Sequence, residues 1–472
     1  MLTAALVLAV SAGAGPENHE NWPGFRGPGS LPVADNPRLP DRWSKTENVE
    51  WVVEVPGVGW SSPIVWGRKV FLTSATSDRP MKEPSLGTDF SNDYIAELQA
   101  QGLSSEEVNE RLYERDREMP HEIEIGLGVY CYDLESGKLL WERQVYRGNP
   151  PGGRHRKNSF ASETPVVDGE RVYAYFTQFG LFAFDLEGQP VWSTPMKAYP
   201  TIRDYGTGAS PALHGDRLYV LNDNEEQSFL AAFDKRTGKE VWRTPRQFET
   251  RRKTGWSTPF VWENSVRTEI VTVGPGAVLS YDLDGRELWR LNRMASTPIQ
   301  SPFASNGILF VAAGSGGDDD NNTNNRPLVA IRPGGSGDIT PKEPETKNEH
   351  VLWYNRLAGG TYLPTPILFD GAIYVLYEKG IFARHDVETG ERVYRSRIAP
   401  GASAFTASPW AYNGKIFALS EEGDTYVIEA GKEFRLLGVN PLEDWALASP
   451  AMVGDRLLLR TRSRLYSIRN ER

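Results

Sequence analysis

Sulfur chemistry is almost absent from this chain. Cys131 is the only cysteine among 472 residues, which excludes an intrachain disulfide, a paired-cysteine zinc or redox site and a lipid-bearing cysteine near the N-terminus. An excess of basic charge is also lacking: 52 Lys and Arg stand against 62 Asp and Glu, a net charge of -10. General nucleic-acid binding needs a basic face that displaces counterions, so that class is excluded while local cationic patches are not. Beyond the N-terminal segment no apolar run is long enough to cross a bilayer. No heptad pattern suggests a coiled-coil oligomer, and the chain reads as a monomer. There is no HExxH, GxSxG or Walker loop. The six histidines, at 19, 121, 155, 214, 350 and 385, show no ligand spacing.

What is present begins with the apolar run MLTAALVLAV, closed by Ala12-Gly13-Ala14. This matches the end of a secretory signal but lacks its basic leading residues. Residues 1–14 are read as a signal peptide, and the mature protein as periplasmic or extracellular.

Self-similarity is the dominant pattern. Ser/Thr-Pro steps fall at Ser62, Thr164, Ser210, Thr258, Ser301, Thr365, Ser408 and Ser449, each followed by proline and then an apolar strand. Successive prolines are 102, 46, 48, 43, 64, 43 and 41 residues apart. A period of about 40–50 residues interrupted by two insertions fits four-stranded propeller blades. Most units end in Asp, a Gly turn and an aromatic: DLESGKLLW and DKRTGKEVW are examples. The aromatic positions are Trp51, Trp141, Trp192, Trp242, Trp289, Trp353 and Tyr394. The Asp and Gly suit a tight hairpin whose Gly takes a positive φ, and the aromatic then packs on the neighbouring blade.

The eighth unit has three strands, and then the sequence stops. ENVEWVVEV, residues 47–55, alternates apolar and polar residues as a half-buried strand does, and it carries Trp51 in the aromatic slot. The expected fold is therefore all-β: an eight-bladed β-propeller of four-stranded antiparallel blades over 47–472, closed by the N-terminal strand. An extended lead at 15–46 precedes it. Residues 78–124 form an insertion in blade one, and the Gly- and Pro-rich residues 333–350 read as a mobile loop in blade five. The repeated Asp-x-x-x-Gly-x-x-x-Trp endings, the Ser/Thr-Pro starts and the lead NWPGFRGPG resemble the pyrroloquinoline-quinone-like (PQQ-like) repeat family of exported bacterial propellers. That family includes both quinoprotein dehydrogenases and non-catalytic propellers such as the outer-membrane assembly lipoprotein, so the resemblance implies a fold more than an activity.

Loops leading into the first strand of a blade share one face of the ring, here termed the upper face. The blade-one insertion lies there, and its Ser104 and Glu107 match a helix capping box. This helix is either a lid over the channel or a surface decoration. Cations crowd the neighbouring loops: Arg154, His155, Arg156 and Lys157 before blade two, Arg203 with Asp204 before blade three, and Arg251, Arg252 and Lys253 with Trp256 before blade four. Concentrated in a concave mouth they would attract carboxylates or phosphates, and as solvated rim charges they would do nothing. Asp318, Asp319 and Asp320 offer oxygen ligands to a hard cation such as calcium, without EF-hand spacing; a plain Asp/Asn/Gly turn is the alternative.

Two functions follow. One is an exported non-catalytic binding or scaffold module, needing no cofactor, with a protein or anionic ligand on the upper face. The other is a PQQ- and calcium-dependent dehydrogenase, for which the resemblance implies an acidic base, calcium ligands, a stacking aromatic and cations around the quinone. Glu163, Asp204, Arg203 and Trp256 are the candidates for those roles, and one cysteine cannot supply the vicinal disulfide of the alcohol-oxidising members.

Overall fold

Eight antiparallel sheets surround a central channel. The computed structural model describes residues 20–86, 92–314, 326–357 and 361–471. In blade one the strands are Ile64–Trp66, Lys69–Ser77, Ile125–Asp133 and Leu139–Gly148, paired in that order. Blade eight takes three strands from the C-terminal segment and its outermost from Val49–Glu54, which runs antiparallel to Arg464–Ile468. Two sheets exceed four strands: Val33–Ala34 joins the inner strand of blade seven, and Gly337–Asp338 joins the outer strand of blade four, both in parallel.

Two repeated contacts hold neighbouring blades together. At the outer edge, the indole N–H of Trp51, Trp141, Trp192, Trp242 and Trp353 donates to a carbonyl of the next blade at 2.9–3.0 Å. The turn glycine lies under that ring. Gly238 has φ +70°, and a Cβ there would stand 2.4 Å from the Trp192 ring, so no side chain fits. Trp289 differs in bonding Glu269 of its own blade at 2.6 Å. Tyr394 meets Phe434 of blade seven edge-on at 6.2 Å.

At the inner edge the Ser/Thr-Pro steps explain themselves. Proline has no N–H to give, and the residue before it is held extended. The backbone N–H of each of these Ser/Thr residues, from Ser62 round to Ser408, donates to the hydroxyl of its counterpart in the next blade, at 2.9–3.1 Å. Seven such bonds link the eight blades in series. At the joint of blades eight and one the buried Arg460 donates to Ser61, backbone and hydroxyl, at 3.0 and 2.6 Å.

The lead is more than an extended approach to the closing strand. Trp22 exchanges two 2.8 Å backbone bonds with Val65 of blade one, and Pro23 accepts from Val167 of blade two. Arg26, 1% exposed, then reaches blade six and donates to the carbonyls of Pro366 (3.0 Å) and Thr365 (3.4 Å). The chain passes blade seven at Val33–Ala34 and buries Trp43 against Phe417, with ring centroids 6.0 Å apart. It thus crosses the lower face from blades one and two to blade six and closes the channel there. Trp22 and Trp43 belong to the largest apolar cluster, which joins the lead to blades one, seven and eight.

The blade-one insertion contains two helices, α1 (Asn92–Ala100) and α2 (Ser105–Asp116). The Ser104/Glu107 capping box is formed. α2 ends at Asp116, where the chain turns into Arg117–Glu118 and pairs antiparallel with Arg154–His155. Residues 333–350 fold back on blade four: Ile339 is buried and donates its N–H to Arg290 O at 2.9 Å, and Gly335 takes the turn-glycine place beneath Trp289.

Candidate functional site

The channel opens on the upper face as a cavity of about 570 Å³. Its floor is Phe25, carried in from below by the lead. Above the floor stands the ring of blade-opening hydroxyls. Higher still, Trp60, Ile299, Tyr362, Leu363 and Leu447 form the walls. The mouth is polar on the side of blades two to four, where His155, Lys157, Arg203, Arg252 and Trp256 all line it.

α2 completes that side. Asn109, Leu112, Tyr113 and Asp116 face the cavity, and Tyr113 O–H donates to Asp204. Burial, with the Asp204 carboxylate next to it, pushes the Tyr113 hydroxyl up to about 12. Arg117 donates from Nε to the Arg203 carbonyl at 2.6 Å and lies over the Tyr205 ring at 4.3 Å. These contacts hold Arg203 and Asp204 at φ +47° and +51°. Consecutive left-handed non-glycine residues cost about 1–2 kcal/mol each, and here the strain turns the loop so that Arg203 reaches the mouth.

The predicted cations divide. Arg154 is 1% exposed, pairs with Glu118 at 2.9 Å and donates to the carbonyl of Asn158 at 2.6 Å; it braces the loop. Desolvation lowers its pKa, and Glu118 opposes that shift. Arg156 pairs with Asp116 at 3.1 Å. Lys157 spans the mouth to Glu421 of blade seven at 2.6 Å, where Thr406 donates to the same carboxylate at 2.6 Å. His155 stands edge-on to Tyr205 at 5.3 Å and accepts the Lys157 N–H on Nδ1 at 3.2 Å. Trp256 is pinned by its indole N–H to Gly206 O at 2.9 Å. Arg251 and Lys253 are exposed outside the cavity, and Asp204 stands behind its wall. Asp318, Asp319 and Asp320 lie outside the described residues.

Tyr113, Arg117, Tyr205 and Phe25 were not singled out by the sequence. Arg117 sits in an unremarkable charged run, ERDREM, and only the pairing of Arg117–Glu118 with Arg154–His155 brings it to the mouth.

These features define an eight-bladed β-propeller with a cavity on its axis. A family model described as outer membrane protein assembly factor BamB matches residues 125–273 and 179–319. Among solved structures the chain is similar to BamB from Moraxella catarrhalis, at 13% identity and TM-score 0.50, over 73% of this chain and 89% of that one. It is also similar to a europium-containing methanol dehydrogenase, at 10% and 0.57, over 95% and 98%. Quinohemoprotein alcohol dehydrogenase from Comamonas testosteroni gives 10% and 0.56, over 96% and 81%. At these identities the likeness is one of fold. Comparison with curated protein sequences finds no match.

The dehydrogenase likeness poses a test of fit for calcium and quinone. Calcium takes six to eight oxygen ligands, several of them carboxylate. Glu163 is buried, and its Oε1 accepts from the hydroxyls of Thr177 and Thr207, each at 2.6 Å. Desolvation raises its pKa, with those hydrogen bonds opposing. Asp204 is engaged by Tyr113. Among the described residues no three His, Cys, Asp or Glu side chains converge to hold a metal ion. Glu163 and Asp204 are thus engaged by protein hydroxyls rather than brought together as a cation site among the described residues.

Proposed function

We propose that this protein is an exported, non-catalytic binding propeller whose ligand, an anionic small molecule or the anionic end of a protein partner, enters the cavity from the upper face. One observation carries this reading: an aromatic-walled cavity whose mouth holds Arg117, Lys157, Arg203 and Arg252, while among the described residues Asp116 is the one lining carboxylate and Glu421 balances Lys157 alone. In a concave, low-dielectric mouth such an imbalance focuses positive potential on whatever enters. Aromatic walls around a few fixed polar groups are the usual form of a ligand site. The apolar N-terminal run supports an exported setting.

The test is a thermal-shift and absorbance titration with pyrroloquinoline quinone, with and without calcium. A ligand that binds only the native state must raise the melting temperature. The binding reading predicts no calcium-dependent shift and no dye-linked alcohol oxidation. A calcium-dependent shift accompanied by oxidation would replace it with a quinoprotein dehydrogenase.

A further inference from the structure

We propose that the throat of the cavity is an oxyanion site in which the ring of blade-opening hydroxyls holds a ligand carboxylate. This rests on the reading that the cavity takes an anionic ligand, and it names the group that descends into it.

A serine or threonine hydroxyl can accept twice and donate once. In each of the seven ring hydroxyls one acceptor position is filled by the N–H of the preceding blade. None of the seven O–H groups has an acceptor among the described residues, although these residues are only 2–8% exposed. All seven line the cavity. Each hydroxyl thus keeps a donor hydrogen to offer, and the fold repeats that donor round the channel, so that neighbouring members can share one acceptor group.

The occupant follows from the surroundings. Among the described residues no carboxylate lines the throat, and Asp116, the acid at the mouth, is paired with Arg115 and Arg156. A cation there would lack countercharge. A carboxylate brings about four acceptor sites and makes charge-assisted bonds to O–H donors. Phe25 below, with Trp60 and Tyr362 in the walls, suits an apolar body behind that head. The ligand class is therefore a carboxylate on a compact aromatic or aliphatic body. The same chemistry is offered by a free organic acid and by the C-terminal residue of a peptide.

Isothermal titration of the full chain decides the matter. The probes are 2-naphthoate, its neutral amide, and a short apolar peptide ending in either a free carboxylate or an amide. Naphthoate or the free-acid peptide should bind at least about tenfold more tightly than its amide, and which of them binds identifies the source. Thr258→Val should weaken carboxylate binding about tenfold, the loss expected for one hydrogen bond to a charged acceptor, while Thr258→Ser restores it. Ser301→Ala provides a second position should the first variant fold poorly. Equal binding of acid and amide, or wild-type affinity in folded Thr258→Val and Ser301→Ala, overturns the ring. If Arg252→Gln weakens the acid while the ring variants do not, the ring falls and the cationic mouth stands. If no anionic probe binds the wild type, both fall.

Discussion

The two ends of the channel are built by opposite means. At the lower end a segment distant in sequence crosses the ring and buries Trp22, Arg26 and Trp43 to 2% exposure or less. At the upper end the loops of blades two to four and the helix α2 meet through ion pairs, rings and hydroxyls around an open mouth. The lower end contributes stability and shape, whereas the upper end presents charge to solvent. A binding cavity needs both, because a channel open at each end would not exclude water from a bound ligand.

The contrast predicts which changes cost stability. Removal of residues 20–54 takes away the lead and the closing strand together, and should abolish cooperative unfolding in calorimetry. An unclosed ring leaves the edge of blade eight exposed. Next in size, Trp43→Ala should lower the unfolding free energy by about 3–5 kcal/mol, as large-to-small changes of buried aromatics do. Chemical denaturation measures it, and a loss below about 1 kcal/mol would mean that the lead is not part of the core.

Nearer the upper end Glu163 sharpens the comparison through pH. Its pKa is raised by desolvation. A carboxyl with a folded pKa above its unfolded value favours folding fully below the unfolded pKa, and that contribution is lost as pH rises through the folded pKa. Glu163→Gln should therefore melt above wild type at pH 7, with the gap closing toward pH 4; a gap that widens on acidification contradicts the sign. Smallest in stability is Arg252→Gln, expected within about 0.5 kcal/mol of wild type while weakening anion binding several-fold. A large stability loss would make Arg252 a structural residue.

Much of the lower-level architecture was legible in the residues. The Ser/Thr-Pro steps and turn aromatics repeat because seven of the eight joints between blades use the same hydroxyl link and five use the same indole bond, so local patterns counted eight blades. Val49–Glu54 was readable as the closing strand because Trp51 sits in the repeat's own slot. The path of the lead was not readable. It has no periodicity, and its anchors are remote: Arg26 and Pro366 are 340 positions apart. Only the large residues Trp22 and Trp43 hinted at burial. In the cationic run RHRK, neighbours part company because Glu118, arriving from the insertion, captures Arg154 while Lys157 spans to Glu421. Composition marked the run as cationic and could not say which members face the cavity. The Gly- and Pro-rich stretch 333–350 likewise read as a loop because its anchor, the outer strand of blade four, is supplied by another repeat.

The most direct test of the account is a calorimetric titration of the whole protein with benzene-1,3,5-tricarboxylate at low and high salt, beside the double variant Arg203→Gln/Arg252→Gln. The account predicts binding by the wild type that weakens with salt, and markedly weaker binding by the double variant while its melting temperature is unchanged. Absence of binding in the wild type, or equal affinity in the two proteins, would contradict a cationic ligand mouth at the upper end of the channel.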